Sequence, residues 1–326
     1  MPADLGRQVK YGLAKETTFG TGVAPVTTAN QLSFTLAPVV EYAQNISAYG
    51  NIIKTNNASI LHQHAAGDFE CKLTSNRSLY FLLGAMGTVV TTSNPDASGV
   101  VKTHTVDISE NINGQSFTFT RKDGLTTKQY AGGRVSNFSL SMELGDYIKY
   151  SGSLLTRKAT TTTWTPAYTN ETEFTPKDFT VKTATNAAGL AGATAIASLE
   201  SFTLNINGNL EPDWQAGSVD PYAFSSRGFD LDFEMTVRYD GTVYEDAYTN
   251  GTGLALQVNA INQAVTIGTA AKPGLTFTAP FIHITDWTRN EDLDSPVTQT
   301  MTGTIHYSQA DAYALRAVAT NLQASY

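Results

Sequence analysis

Apolar and polar residues alternate with a period of two through much of this chain. Phe229, Leu231, Phe233, Met235 and Val237 fall on one side of an extended segment, and Asp230, Asp232, Glu234 and Thr236 on the other. Phe138, Leu140 and Met142 oppose Ser139, Ser141 and Glu143 in the same way, and Phe202, Leu204 and Ile206 oppose Thr203 and Asn205. One apolar and one polar face predicts antiparallel sheet with one side packed and the other wet. Helical spacing is sparse. Residues 75–86 place Leu79, Leu82, Leu83 and Met86 on one face, with Gly87 just beyond as a stop signal. A shorter helix is expected over 243–248. A last one is expected from Gln309 to about Asn321, capped by Ser308.

The chain repeats itself. Ser33-Phe34-Thr35-Leu36 recurs as Ser201-Phe202-Thr203-Leu204, and Asp68-Phe69-Glu70 as Asp232-Phe233-Glu234. Phe117-Thr118-Phe119-Thr120 has a relative in Thr276-Phe277-Thr278, and Ser151-Gly152-Ser153-Leu154 in Thr302-Gly303-Thr304-Ile305. The four matches keep their order, which is the trace of a tandem duplication. The expected fold is all-β with a few short helices, in two tandem homologous β-sandwich domains. The first covers 1–158 and the second 199–326, with a linker over 159–198. Phe174, Phe179 and Val181 suggest that part of this linker pairs as a strand. Two long segments, 42–67 and 207–228, occupy the same slot in each half and read as functional arms.

A length of 326 residues accommodates two cores of ordinary size. With 41% apolar and 15% charged residues the chain is expected to be globular rather than disordered. The formal charge of −8 and the absence of a Lys/Arg stripe argue against a nucleic-acid clamp. The same balance suits a surface that nucleic acid must pass without sticking. The single cysteine, Cys71, forms no internal disulfide and reads as a buried small residue beside Phe69 and Leu73. Residues 1–7 carry no apolar run of the kind a secretion signal needs, and no stretch approaches the ~20 apolar residues of a membrane helix. Neither a membrane location nor a membrane partner is expected.

Catalytic patterns are weak. Asp230, Asp232 and Glu234 are i,i+2 neighbours, a spacing compatible with the carboxyl pair of a retaining glycosidase, but the same pattern belongs to any wet sheet face. His62 and His64 could put two imidazoles on one strand face, without a patterned third ligand. No nucleophile elbow, Walker loop or His-Glu-x-x-His is present, so no catalytic residue, metal or cofactor is assigned. Trp164, Trp214 and Trp287 could form a sugar-binding surface or anchor an interface, and the second reading is preferred.

The segment Tyr11-Gly12-Leu13-Ala14-Lys15-Glu16-Thr17-Thr18-Phe19-Gly20-Thr21 resembles the opening of many tail tube proteins of long-tailed, siphovirus-type phages, with Phe19 where Tyr is usual. Ala66-Gly67-Asp68-Phe69-Glu70, Leu82-Leu83-Gly84-Ala85-Met86-Gly87 and Tyr130-Ala131-Gly132-Gly133-Arg134-Val135 are more loosely similar to later segments of that family. The resemblance implies a structural, non-enzymatic virion protein that self-assembles into stacked rings, the conduit for DNA ejection. For a duplicated member it implies trimers that mimic a hexamer, with a plain hexamer as the alternative. It also implies tape-measure and tail-terminator or tail-tip partners, transit of DNA without specific binding, and assembly in the host cytoplasm. On this reading Asp68, Glu70, Asp230, Asp232 and Glu234 are candidates to face the lumen; an outer surface and a paired interface remain open for them. Tyr49, Ile52, Ile53, Ile60, His62, Trp214, Tyr222 and Phe224 are the candidate inter-subunit arm residues. The rival reading is a carbohydrate-active or carbohydrate-binding β-sandwich protein.

Overall fold

The computed structural model describes residues 5–94 and 96–326; residues 1–4, part of the segment read as lacking a secretion signal, and Pro95 lie outside the described residues. Among the described residues the chain is all-β with two short α-helices. Its broadest feature is a run of antiparallel neighbours. In order these are β3 (Gln31–Phe34), β5 (Asn57–Lys72), β10 (Lys149–Thr156), β9 (Thr127–Glu143), β13 (Leu199–Asn207), β16 (Asp230–Arg238), β19 (Thr298–Ile305) and β18 (Gly274–Asn290). The β9–β13 pair joins the two halves of the sequence by direct hydrogen bonding, with Leu140 opposite Leu204.

Other strands, the two arms described below excepted, pack against the apolar face of that run. β1 (Lys10–Lys15) pairs with β2 (Thr27–Thr28) and β8 (Phe117–Lys122). β8 then pairs with the first part of β9, which also takes β11 (Ala159–Thr161). In the other half β12 (Phe179–Ala184) pairs with β17 (Leu254–Ile261). β17 pairs with the first part of β18, which also takes β20 (Arg316–Asn321). The far edge of β20 receives β7 (Lys102–Ile108), itself paired with β6 (Gly87–Ser93), so the halves meet a second time. The core is one continuous cluster drawn from both halves.

Close packing explains two of the repeated segments. Phe69 of β5 lies opposite Gly152 of β10, and Phe233 of β16 opposite Gly303 of β19. A Cβ at Gly152 would stand 2.7 Å from the Phe69 ring and 2.1 Å from the Asn137 carbonyl oxygen. At Gly303 it would stand 2.5 Å from both the Phe233 ring and the His283 carbonyl oxygen. Each glycine is required because an aromatic ring lies across it. The Phe117 and Phe277 match is different in kind: these residues sit on β8 and β18, strands with different positions in the sheet.

Helix α1 (Arg77–Met86) ends at Gly87, whose φ of 101° is the left-handed conformation expected of that stop. All ten of its residues are buried, because sheet surrounds the helix rather than supporting one face. Glu171, far away in sequence, accepts from the Asn76 and Arg77 N–H groups at its start and pairs with the Arg77 guanidinium. Helix α2 (Val243–Thr249) lies where a shorter helix was expected.

The helix expected from Gln309 to about Asn321 is a correction: a turn closed by the Ser308–Tyr313 bridge leads into β20. Here Ala317, Ala319 and Asn321 are buried alternately with half-buried Arg316, Val318 and Thr320. β7 and β18 each present an edge there, and a strand satisfies two rows of backbone groups where a helix would satisfy neither. The 159–198 stretch contributes β11 and β12, and Phe179 and Val181 are buried in β12, the strand that those residues suggested.

A candidate assembly surface: the polar face of the joined sheet

The polar side of the broad sheet is continuous across both halves. Cross-strand register sets Glu70, Ser151, Ser139, Asn205, Asp232, Thr304 and His283 in one row over seven strands. The next row runs Lys72, Lys149, Ser141, Thr203, Glu234, Thr302 and Asp286. On the reverse side the corresponding row is Cys71, Tyr150, Leu140, Leu204, Phe233, Gly303 and Ile284, all in the core. The period-two alternation of each strand is thus kept in phase through the whole width, so a single face is wet and a single face is dry.

All five acidic residues singled out in the sequence lie on this wet face. Asp68, Asp230, Asp232 and Glu234 are exposed, and Glu70 is half-buried. Asn205 donates to Asp232 at 2.7 Å and Asn209 donates to Asp230 at 2.7 Å. Glu70 lies 3.8 Å from the Lys149 ammonium, which is held more closely by Asp146 at 2.6 Å. Among the described residues no cation pairs with Asp68, Asp230, Asp232 or Glu234, so the face keeps negative charge. Alternation placed Ser139 and Asn205 on the wet side of their own strands, but nothing local to the sequence marks them as sharing a row with Ser151 and Thr304.

The two arms behave differently. β4 (Ala37–Asn45) and the first part of β5 form a hairpin whose tip, residues 46–56, exposes Tyr49, Ile52 and Ile53, with Ile60 exposed on its shaft. Ile52 is 98% exposed, and so large an apolar side chain left wholly in water is unusual enough to suggest a partner. The second arm folds back on the base of the first. Its strands β14 (Leu210–Asp213) and β15 (Ala223–Ser226) pair with each other. Trp214 stacks on His62 at 4.1 Å between ring centres and meets the edge of His64. His62 also lies 3.0 Å from Glu41, and the Gln63 N–H donates to the Val219 carbonyl. Tyr222 is exposed, but Phe224 is fully buried in its own chain. The Phe224 carbonyl accepts from the buried Arg134 guanidinium at 2.6 Å, so its contact is internal. Burial of Arg134 away from a carboxylate lowers its pKa to about 10.

The Glu16 and Gly132 segments form a structural hub that sequence spacing did not foretell. The Glu16 carboxylate is buried and accepts from Thr118 Oγ1 at 2.6 Å, Ser116 Oγ at 2.8 Å, the Gly132 N–H at 2.8 Å and the Gly20 N–H at 3.0 Å. Gly132, at φ 67°, sits beneath the Phe19 ring, where a Cβ would approach to 2.9 Å. The Arg157 guanidinium lies over that ring, 5.2 Å from its centre. One carboxylate therefore ties the N-terminal strand to the bend in β9.

An all-β chain with a broad in-phase polar face, unpaired sheet edges and a projecting apolar hairpin belongs to the class of self-associating structural proteins. The profile of the phage tail tube protein family matches residues 6–306, and the chain belongs to that family. It is therefore a structural, tube-forming component of a phage tail. No curated protein sequence matches the chain. Among solved structures it is similar to the SPP1 tail tube determined by solid-state NMR and cryo-EM, at 12% identity and a TM-score of 0.32. That match covers 40% of this chain and 74% of the SPP1 chain. It is also similar to the crystal structure of an Hcp protein, at 13% identity and a TM-score of 0.23, over 38% of this chain and 86% of the other. Among the described residues no helix is long and apolar enough to cross a membrane, and no group of three or more His, Cys, Asp or Glu side chains could hold a metal ion.

Proposed function

We propose that three copies of this chain close each ring of the tube, and that the joined polar face lines a bore through which DNA is ejected. The continuity of that face across β9–β13 carries the reading, since it makes one chain look like two subunits already joined. The pairing plan supports a duplication: β1–β8, β5–β10, β8–β9 and β9–β10 have counterparts in β12–β17, β16–β19, β17–β18 and β18–β19. On this reading the halves, 1–158 and 199–326 with β12 added from the stretch between them, are sister domains, and three chains supply six of them. A ring of six chains is the alternative stoichiometry.

Asp68, Glu70, Asp230, Asp232 and Glu234 then face the passing DNA. Unpaired carboxylates repel phosphates within about a Debye length, ~8 Å at physiological salt, which keeps the wall from binding the cargo. The arm tip at Tyr49, Ile52 and Ile53 is assigned to contacts between neighbouring subunits or rings. The chain acts without catalysis, since exposed carboxylates on an open sheet lack the enclosing pocket that sets apart the acid and base of a glycosidase. Assembly in the host cytoplasm and contacts with tape-measure, tail-terminator or tail-tip proteins belong to the same reading.

The test is electron microscopy of the purified full-length chain at rising concentration. Tubes with three-fold rings are expected; rings of six chains would change the stoichiometry, and a monomer at every concentration would remove the reading.

A further inference from the structure

The β9–β13 joint is a template for how this sheet continues, and its two partners have counterparts that end in open edges. β13 and β16 pair Thr203 with Glu234 and Leu204 with Phe233; β3 and β5 pair Ser33 with Glu70 and Phe34 with Phe69. Ser33 and Phe34 therefore hold the places of Thr203 and Leu204, which corrects by two residues the match of Ser33-Phe34 to Ser201-Phe202 read from the sequence. On the other side β9 and β10 pair Ser141 with Lys149 and Leu140 with Tyr150; β18 and β19 pair Thr288 with Thr300 and Trp287 with Met301. Thr288 and Trp287 hold the places of Ser141 and Leu140. In the internal joint Ser141 lies opposite Thr203 and Leu140 opposite Leu204.

We infer that the last part of β18 in one copy pairs antiparallel with β3 of a second copy, with Thr288 opposite Ser33 and Trp287 opposite Phe34. The inference rests on the tube-forming reading and adds the strands and the register. Three further observations support it. First, among the described residues β18 beyond Ile282 pairs only with β19, and β3 pairs only with β5, so each keeps one free row of backbone groups. Second, the faces agree in phase. Ser33 and Thr288 are exposed on the polar side, whereas Phe34 is buried and Trp287 is packed against the core on the other. A slip by one residue would turn Trp287 into the wet face. Third, the outer edge of β3 opens on a groove of about 810 Å³, lined by Val9, Tyr11, Leu32, Phe34 and Arg121 among others. Tyr11 stacks on Phe34 at 4.1 Å along its wall, an aromatic seat beside the expected position of Trp287.

The joint between copies is also chemically distinct from the internal one. A leucine pair inside the chain becomes a tryptophan against a phenylalanine between chains. Distinct pairs at equivalent places favour end-to-end closure over the swapping of β13 for β3.

The experiment mixes two variants in a Cys71→Ala background, one carrying Ser33→Cys and the other Thr288→Cys, and lets them co-assemble before mild oxidation. Directly opposed residues in an antiparallel pair have Cα atoms about 4.5–5.5 Å apart, within the range a disulfide spans. A between-chain disulfide is expected in at least tenfold greater yield than for Ser33→Cys mixed with Asn290→Cys, which is displaced by two residues on the same face. It should form only under conditions that give tubes. Tubes that form with equal or greater yield from the displaced pair, or with neither pair linked, would overturn the register while leaving tube formation intact. Failure of the unmodified chain to assemble would overturn both. As a second measurement, Trp287→Ala chains that keep the monomer's circular dichroism but lose ring closure are expected, whereas unchanged tube yield would count against the joint.

Discussion

Glu16 shows how a short motif gets its meaning from distant partners. All four groups around its carboxylate are donors, so Glu16→Gln would turn one acceptor into a donor facing donors. A loss of about 1–3 kcal/mol is expected, read by urea denaturation of the monomer. Gly303 is as constrained by shape as Glu16 is by hydrogen bonding. Gly303→Ala would drive a methyl group into the Phe233 ring and the His283 carbonyl, at a cost of about 1–3 kcal/mol by the same measurement. His104 adds a pH term. It is fully buried in β7, with Nε2 facing two acceptors, Asn321 Oδ1 and the Gln323 carbonyl, each at 3.0 Å. Burial lowers its pKa below the usual imidazole value. Because the folded pKa is the lower one, the unfolded chain takes up the proton first on acidification. This stabilising term is complete above about pH 6.5 and is lost as pH falls below it. The melting temperature of His104→Gln should therefore fall less steeply than wild type between neutral pH and pH 5. Parallel curves would assign the acid sensitivity to other groups.

At the scale of elements, the two arms separate a docked segment from a free one. The hairpin of β4 and β5 carries its apolar side chains on a tip that touches little of its own chain, whereas the 207–228 segment is pinned by Trp214, Phe224 and Arg134. Ile52→Asp combined with Ile53→Asp should leave monomer stability within about 0.5 kcal/mol, as expected for surface positions. The same change should abolish long tubes in negative-stain images; tubes of normal length would show that the tip is not an assembly contact. The final segment shows how environment overrides local preference. Ala-rich sequence near the C-terminus suits a helix, yet two waiting sheet edges draw it into β20.

For the whole molecule, the proposed lining of the bore by the joined face ties its charge to transport more than to folding. Replacing Asp230 and Asp232 by Asn and Glu234 by Gln should leave tubes intact, because these side chains are exposed and face away from the core. Such tubes should retain DNA that wild-type tubes release, in a manner that weakens as salt rises. Equal release from both would place the acidic strand on the outside or at an interface.

Alternation alone determined the strands β9, β13 and β16, the burial of Cys71 and the wet side of each strand, because side-chain period and solvent contrast are local properties. The SNRSLYFLLGAM pattern with its glycine stop likewise determined α1. Only the tertiary structure decided that β13 lies against β9 and β20 against β7, that Glu171 caps α1, and that Phe224 turns inward over Arg134. Those choices depend on which unpaired backbone edges and uncovered side chains come to face each other from distant parts of the sequence. No window along the chain contains both partners of such a choice, so the joined polar face emerges only when the sheet is assembled.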